Sequence, residues 1–307
     1  MLFEYAVEPR HRVGWQNFRY LIEKFGFDRG RLISRFPKDW FREVYAASEA
    51  LKPIERKRLE EILNQAKKTK VIRSGRPYDQ TLGGWLPNAI AQQAQAPFHA
   101  IIAQDNPGGH EQVLRVGEVD EENPLMTSPP AWDVERVGAK IADAMRPLLA
   151  SAGVVAFVDR FFDLSDKKYQ DTLRACLAIV SAAGGAQVRC EIHFCEHDSR
   201  PPPEFIEREA GKWIAGVLPT DMSLVLYGWK ERQGGADFHA RYLLTDVGGI
   251  NIESGFSAEG AHQHVQLVLL PSDLAQSRLQ AIRRPSTVYD LVEPVLEIRS
   301  DGTVQRI

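Results

Sequence analysis

The sequence predicts an α/β protein of two domains: a helix-rich N-terminal domain with a small sheet, then a mixed sheet flanked by helices. Three observations carry this expectation. Apolar residues recur at three- and four-residue steps through much of the first third of the chain, the period of amphipathic helices. From residue 131 onward, short apolar runs such as Val154–Val158 alternate with helical patterns. Between the two regions, residues 118–130 are acidic and marked by proline, a composition shift at which domains commonly part. The expected division is therefore a basic domain over 1–117, a linker over 118–130 and a second domain over 131–307. A chain of 307 residues is long enough to bury two such cores.

Taken in order, residues 1–7 alternate as a short strand. Trp15, Phe18, Ile22 and Phe25 mark one face of a helix that Gly26 ends. A second helix from about Pro37 turns Trp40, Phe41, Val44 and Tyr45 inward, with Pro37 suited to a first helical position. A third begins near Pro53. Its Leu59, Ile62, Leu63 and Ala66 face in, while Arg56/Glu60 and Lys57/Glu61 pair outward at i, i+4. Lys67, Lys68, Lys70, Arg73 and Arg76 close this region, and residues 1–80 hold 18 Lys+Arg against 11 Asp+Glu although the whole chain carries −3. These five cations are the candidate nucleic-acid-binding patch, and a basic domain of this kind also suits an acidic protein partner. Few aromatics lie among them, so the patch does not suggest base stacking. A turn over 74–77, a helix over 86–94 and a strand over 98–103 follow. After the turn at 106–109, residues 112–116 are expected to pair back as a hairpin.

In the second region, a helix over 133–149 turns Val134, Val137, Ile141, Met145 and Leu148 inward. It leads into Val154–Val158, an unbroken apolar run that reads as a strand buried on both faces. Ligands of open α/β sheets sit outside the carboxyl ends of strands, so Asp159 and Arg160, which follow this run, are candidate substrate-binding residues. A helix over 168–182 precedes a strand over 187–195 that carries Cys190, His193 and Cys195. Strand alternation sends His193, Cys195 and His197 one way and Cys190 the other, so four ligands do not converge and no metal site is expected. Next come a helix from Pro201 to about Val217, a strand over 222–227 and a turn at Gln233, Gly234 and Gly235. Beyond residue 246 the pattern gives strands over 250–256 and 264–270, a helix over 272–283 and a hairpin over 295–307 turning at Ser300, Asp301 and Gly302.

The stretch with chemistry in it is Phe238-His239-Ala240-Arg241-Tyr242-Leu243-Leu244-Thr245-Asp246. Read as a strand, it places His239 and Arg241 on one face and Tyr242 and Leu244 on the other, with Asp246 at the turn. A base, a cation and a carboxylate would then be grouped at one strand end.

The order His239-x-Arg241-x-x-x-x-Asp246 resembles the HxKxxxxD signature of the phospholipase D superfamily, with arginine for lysine. Together with Gly248, Gly249, Ile250 and the later Gly255-Phe256, it is similar to a divergent branch that includes bacterial proteins of unassigned role and the domain that follows MIT domains. The resemblance covers about residues 131–284. It implies a metal-independent phosphodiesterase without cofactor: His239 as nucleophile or acid, Arg241 on the non-bridging phosphate oxygens, Asp246 orienting or balancing a histidine. In that family a second motif supplies the other histidine, and this chain has one motif, so a homodimer is expected to complete the site. By the same resemblance, a nuclease in bacterial phage defence is an expected role. Two departures stand against full activity: an arginine fork replaces a point charge, and Phe256 intervenes between Gly255 and Ser257 where the family has a Gly-Ser step. Ser257 joins Asp159 and Arg160 as a candidate substrate-binding residue. A module that binds phosphate or nucleic acid through the same residues without turnover is the alternative.

Composition narrows the remaining classes. Hydrophobic residues make up 44% and charged residues 26%, ordinary values for a soluble chain. No apolar run approaches a membrane span and no leader is expected at the start, so a cytoplasmic protein is anticipated. Three cysteines, Cys176, Cys190 and Cys195, are too few and too odd in number for a disulfide framework, which fits a reducing compartment.

Overall fold

The fold is that of a computed structural model describing residues 2–10, 15–184, 187–197 and 199–307. The chain divides into two compact units, Met1–Pro130 and Ala131–Ile307. No helix among the described residues is long and apolar enough to cross a membrane.

The first unit is built on five strands. They are β1 (Phe3–Val7), β2 (Arg31–Arg35), β3 (Val71–Arg73), β4 (Ala100–Ala103) and β5 (Val113–Arg115), in the order β3-β2-β1-β4-β5. Every pairing is parallel. Among the described residues, four α-helices lie between β1 and β4: α1 (Trp15–Glu23), α2 (Trp40–Ala47), α3 (Pro53–Thr69) and α4 (Trp85–Gln95). Parallel sheets bury both faces, and here Tyr5 and Val7 enter a core with Phe18, Ile22 and Leu63 while Ala6 enters another with Phe36, Trp85 and Phe98. The side chain of Trp15, expected on the inward face of α1, lies outside the described residues.

Two expectations for this unit are corrected. The 112–116 segment does pair with β4, but in parallel, Ile101 opposite Val113. The Asn106 side chain explains the geometry: its amide donates to the carbonyls of His110 (3.0 Å) and Val113 (3.1 Å) and its oxygen accepts from the His110 N–H (3.0 Å), folding the loop so that the chain re-enters in its original direction. Residues 118–130 are also no loose linker. Val119 and Met126 are buried in the first core, Tyr5 Oη donates to the Leu125 carbonyl (3.0 Å) and Arg31 Nη1 to that of Met126 (2.7 Å).

The second unit carries a nine-stranded mixed sheet. Its strands are β6 (Ala131–Arg136), β7 (Val154–Val158), β8 (Arg189–Cys195), β9 (Ser223–Glu231), β10 (Tyr242–Thr245), β11 (Gly249–Ile252), β12 (Gly260–Leu269), β13 (Tyr289–Arg299) and β14 (Val304–Arg306). They lie in the order β14-β13-β9-β8-β7-β10-β11-β12-β6, with β7, β8 and β9 parallel and the other pairings antiparallel. The helices are α5 (Gly138–Ala144), α6 (Arg146–Ser151), α7 (Lys167–Ala182), α8 (Pro203–Ile214) and α9 (Ser272–Ala281). The helix expected over 133–149 is therefore replaced by a strand and two short helices. Val134 belongs both to the helical series Val134, Val137 and Ile141 and to the period-two series Trp132, Val134 and Arg136, and pairing with β12, Val134 opposite Val265, decides between them. Pro147 then sits in the first turn of a new helix because it has no N–H to continue the old one.

Candidate functional site

The parallel strands β7, β8 and β9 deliver their carboxyl ends to one edge, and Asp159 is the first residue past β7. It is wholly buried. One oxygen, Oδ1, accepts the Phe161 N–H (2.9 Å), and Oδ2 accepts the Phe256 N–H (3.2 Å). Arg241 Nε stands 3.5 Å from Oδ1. Burial pushes the Asp159 carboxyl above its ordinary range, against the pull of the two N–H donors and of Arg241 and Arg200. This carboxylate ties together the loop after β7, the loop before β12 and the residue just ahead of β10. Gly255 makes the approach possible: it sits at φ +79°, and a Cβ there would collide with Asp159 Oδ2 and lie 2.8 Å from Arg241 Cδ.

Two guanidiniums flank this corner. Arg241 donates from Nη1 to the Glu253 carbonyl (2.9 Å), and its Nη2 makes no hydrogen bond among the described residues. Arg160 Nη1 pairs with Glu231 Oε1 at 3.2 Å, and the same oxygen accepts the Phe238 N–H (2.7 Å), which holds the loop leading to β10. Arg200, a residue that sequence reasoning missed, is a clamp: it donates to the carbonyls of Cys195 (3.1 Å), Phe162 (2.9 Å) and Arg160 (3.0 Å). Glu231 was missed too. Glu231 is the last residue of β9 and Arg200 lies in the loop after β8, strands that run in the direction of β7, so the carboxyl-end rule applied to β8 and β9 would have found them.

The motif residues are not assembled as expected. β10 begins only at Tyr242, so residues 237–241 are loop and period-two alternation does not govern them. His239 is exposed and lines a cleft of about 150 Å³ with Phe238, Tyr242, Leu244, Arg278 and Tyr289, whereas Arg241 folds onto Asp159. Asp246 lies at the other end of β10. That strand runs antiparallel to β7, Tyr242 opposite Val158 and Thr245 opposite Val155, which carries Asp246 to the start of β7. There Oδ1 accepts the N–H groups of Gly153 (2.8 Å) and Val154 (3.1 Å). The grouping of base, cation and carboxylate at one strand end is therefore corrected: Arg241 meets Asp159, not Asp246. Ser257 is buried and its Oγ accepts from Arg136 Nη2, while its carbonyl accepts from Arg136 Nε (3.2 Å).

The five cations of the first unit also separate. Lys67, Lys68 and Arg73 are exposed. Lys70 instead donates to the carbonyls of Ile22 (3.1 Å) and Phe25 (2.7 Å), closing the end of α1, and burial lowers its pKa. Arg76 pairs with Glu4, donates to the Ala96 carbonyl and lies 4.0 Å over the Phe98 ring. These two are structural because each is anchored by partners that a phosphate would have to displace.

His193 is held inside the second core. Trp229 Nε1–H donates to its Nδ1 (3.0 Å), so that nitrogen is the acceptor and the Nε2 proton faces Glu191 Oε2 at 3.1 Å. The network assigns a neutral tautomer, and burial holds the imidazole pKa below its ordinary range although Glu191 pulls it up.

No family model matches this chain, and no curated protein matches it. Among solved structures, it is similar in part to one described as TrmBL2, an archaeal chromatin protein showing a novel mode of DNA binding: 10% identity over 80% of this chain and 66% of that one, with a TM-score of 0.28. A likeness that loose carries no argument about fold or function.

Proposed function

We propose that the second unit is a phospholipase D-like module that binds a phosphodiester, with Arg241 and Arg160 as its cations. The observation that supports this most is the state of Arg241. A buried carboxylate and a backbone carbonyl orient its guanidinium, yet Nη2 keeps its hydrogen-bonding capacity and the side chain is 22% exposed. A fixed arginine with an unspent edge is suited to phosphate oxygens. Arg160, held by Glu231, adds a second positive charge on the same strand edge.

Hydrolysis is the second reading, and the exposure of His239 in the adjoining loop favours it, since a nucleophile has to be reached. The family resemblance then calls for a second histidine from another copy of the chain.

The test has two parts. Inorganic phosphate and a dinucleotide are titrated calorimetrically into the full chain and Arg241→Ala, with loss of binding expected in the variant. Single- and double-stranded DNA and RNA are incubated in EDTA with the full chain and His239→Ala. Cleavage by the former alone establishes a phosphodiesterase. Binding without cleavage leaves the module non-catalytic, and absence of binding in the full chain overturns the reading.

A further inference from the structure

Phe161 does something that its neighbour Phe162 does not need to do. Phe162 is buried and packs on Tyr169 and Phe256, filling the core beneath the loop. Phe161, one residue earlier, is 46% exposed at the carboxyl end of β7. Leaving nearly half of such a ring in water forgoes apolar burial, so its surroundings are informative. The guanidinium carbons of Arg241 and Arg160 lie 5.7 and 5.9 Å from its centroid, and the His197 ring lies at 5.7 Å.

Both guanidiniums are held from below, Arg241 by Asp159 and Arg160 by Glu231. The Arg200 clamp fixes the backbone of Arg160 and Phe162 on either side of the ring. A half-exposed aromatic ring is thus positioned with two oriented cations over it.

We infer that Phe161 is a stacking platform for an unpaired base, so the ligand of this site is single-stranded nucleic acid. The inference rests on the phosphate-binding reading and narrows it. A nucleotide presents a flat π-face and, one ribose away, an anionic phosphate; the site presents a half-exposed aromatic ring and, over it at 5.7 and 5.9 Å, two guanidinium carbons. A phospholipid headgroup or a free phosphate would engage the arginines and leave the ring unused. In a duplex the bases stack on one another and are closed to the ring, whereas a single strand offers them freely. Stacking is tolerant of base identity because every base has a π-face, so little sequence preference is expected.

The experiment measures fluorescence anisotropy at fixed ionic strength with three labelled probes: short oligothymidylate, oligouridylate, and an abasic deoxyribose-phosphate chain of equal length. The full chain is expected to bind the base-bearing probes about tenfold more tightly than the abasic one. Phe161→Ala removes that difference without weakening the abasic probe, Phe161→Trp restores it, and Arg241→Ala weakens all three. A full chain that binds abasic and base-bearing probes equally overturns the stacking inference and leaves phosphate binding standing. Preference for phosphatidylglycerol vesicles over all three probes overturns it in favour of a headgroup. Failure to bind any probe, vesicle or inorganic phosphate overturns both. Matched thermal melts of the variants separate loss of binding from loss of fold.

Discussion

Arg241 and Asp159 meet where β7 ends and β10 is about to begin, Nε 3.5 Å from a carboxylate oxygen that has no exposure to solvent. The pair fastens three loops. Asp159→Ala removes the acceptor of the Phe161 and Phe256 N–H groups and strands the arginine. A loss of about 3 kcal/mol is expected in urea unfolding. Asp159→Asn keeps an acceptor in place and is expected to cost less. An alanine variant as stable as the parent chain would show that the corner is not structural.

Gly255 is the narrowest point of the same corner. Gly255→Ala meets both a left-handed backbone and a collision with Asp159, and about 2 kcal/mol of destabilisation is expected. Phosphate affinity should fall with it, because the methyl group presses on Arg241 Cδ. Calorimetric titration at a temperature where the variant remains folded reads the second effect apart from the first.

Asp246 sits a strand's length away. Asp246→Ala removes the acceptor for Gly153 and Val154 and should cost about 1 kcal/mol, while phosphate affinity and any EDTA-resistant cleavage stay unchanged at matched fold. A selective loss of binding or turnover would return Asp246 to the site.

His193 sets a pH dependence of stability. Its pKa is depressed in the folded chain by burial, while in the unfolded chain it titrates near 6.5. The unfolded state therefore binds more protons on this group below that pH, so its contribution to stability is present above about pH 6.5 and lost as pH falls further. The groups in contact with its ring are Glu191, Trp229 and Tyr227, and Arg189 links Glu191 to Tyr227. Urea unfolding across pH 5 to 8 should show this slope in the parent chain and a shallower one in His193→Gln. Equal slopes would mean that another group carries it.

Much of the fold was legible because it depends on local pattern. Val154–Val158 is apolar throughout and is a strand; Leu59, Leu63 and Ala66 recur at helical steps and lie on the buried face of α3. The strands Arg31–Arg35 and Val71–Arg73 were not legible. Each is short, the first with arginine at both ends and the second with arginine at its last position, and each becomes a strand only because β1 and β2 are there to pair with it.

The site divides in the same way. The sequence by itself determined an α/β chain and pointed to the carboxyl end of β7, since Asp159 and Arg160 follow an apolar run whose ending can be read from composition. It also singled out Arg241 by its place in a motif. Only the tertiary structure decided that Arg241 answers to Asp159 rather than to Asp246, that His239 leaves the strand, and that Lys70 and Arg76 serve the first core. The physical reason is that alternation and spacing describe what a segment can present, whereas a charged side chain settles on the partner that antiparallel register and burial bring to it, and that partner lies far away in sequence.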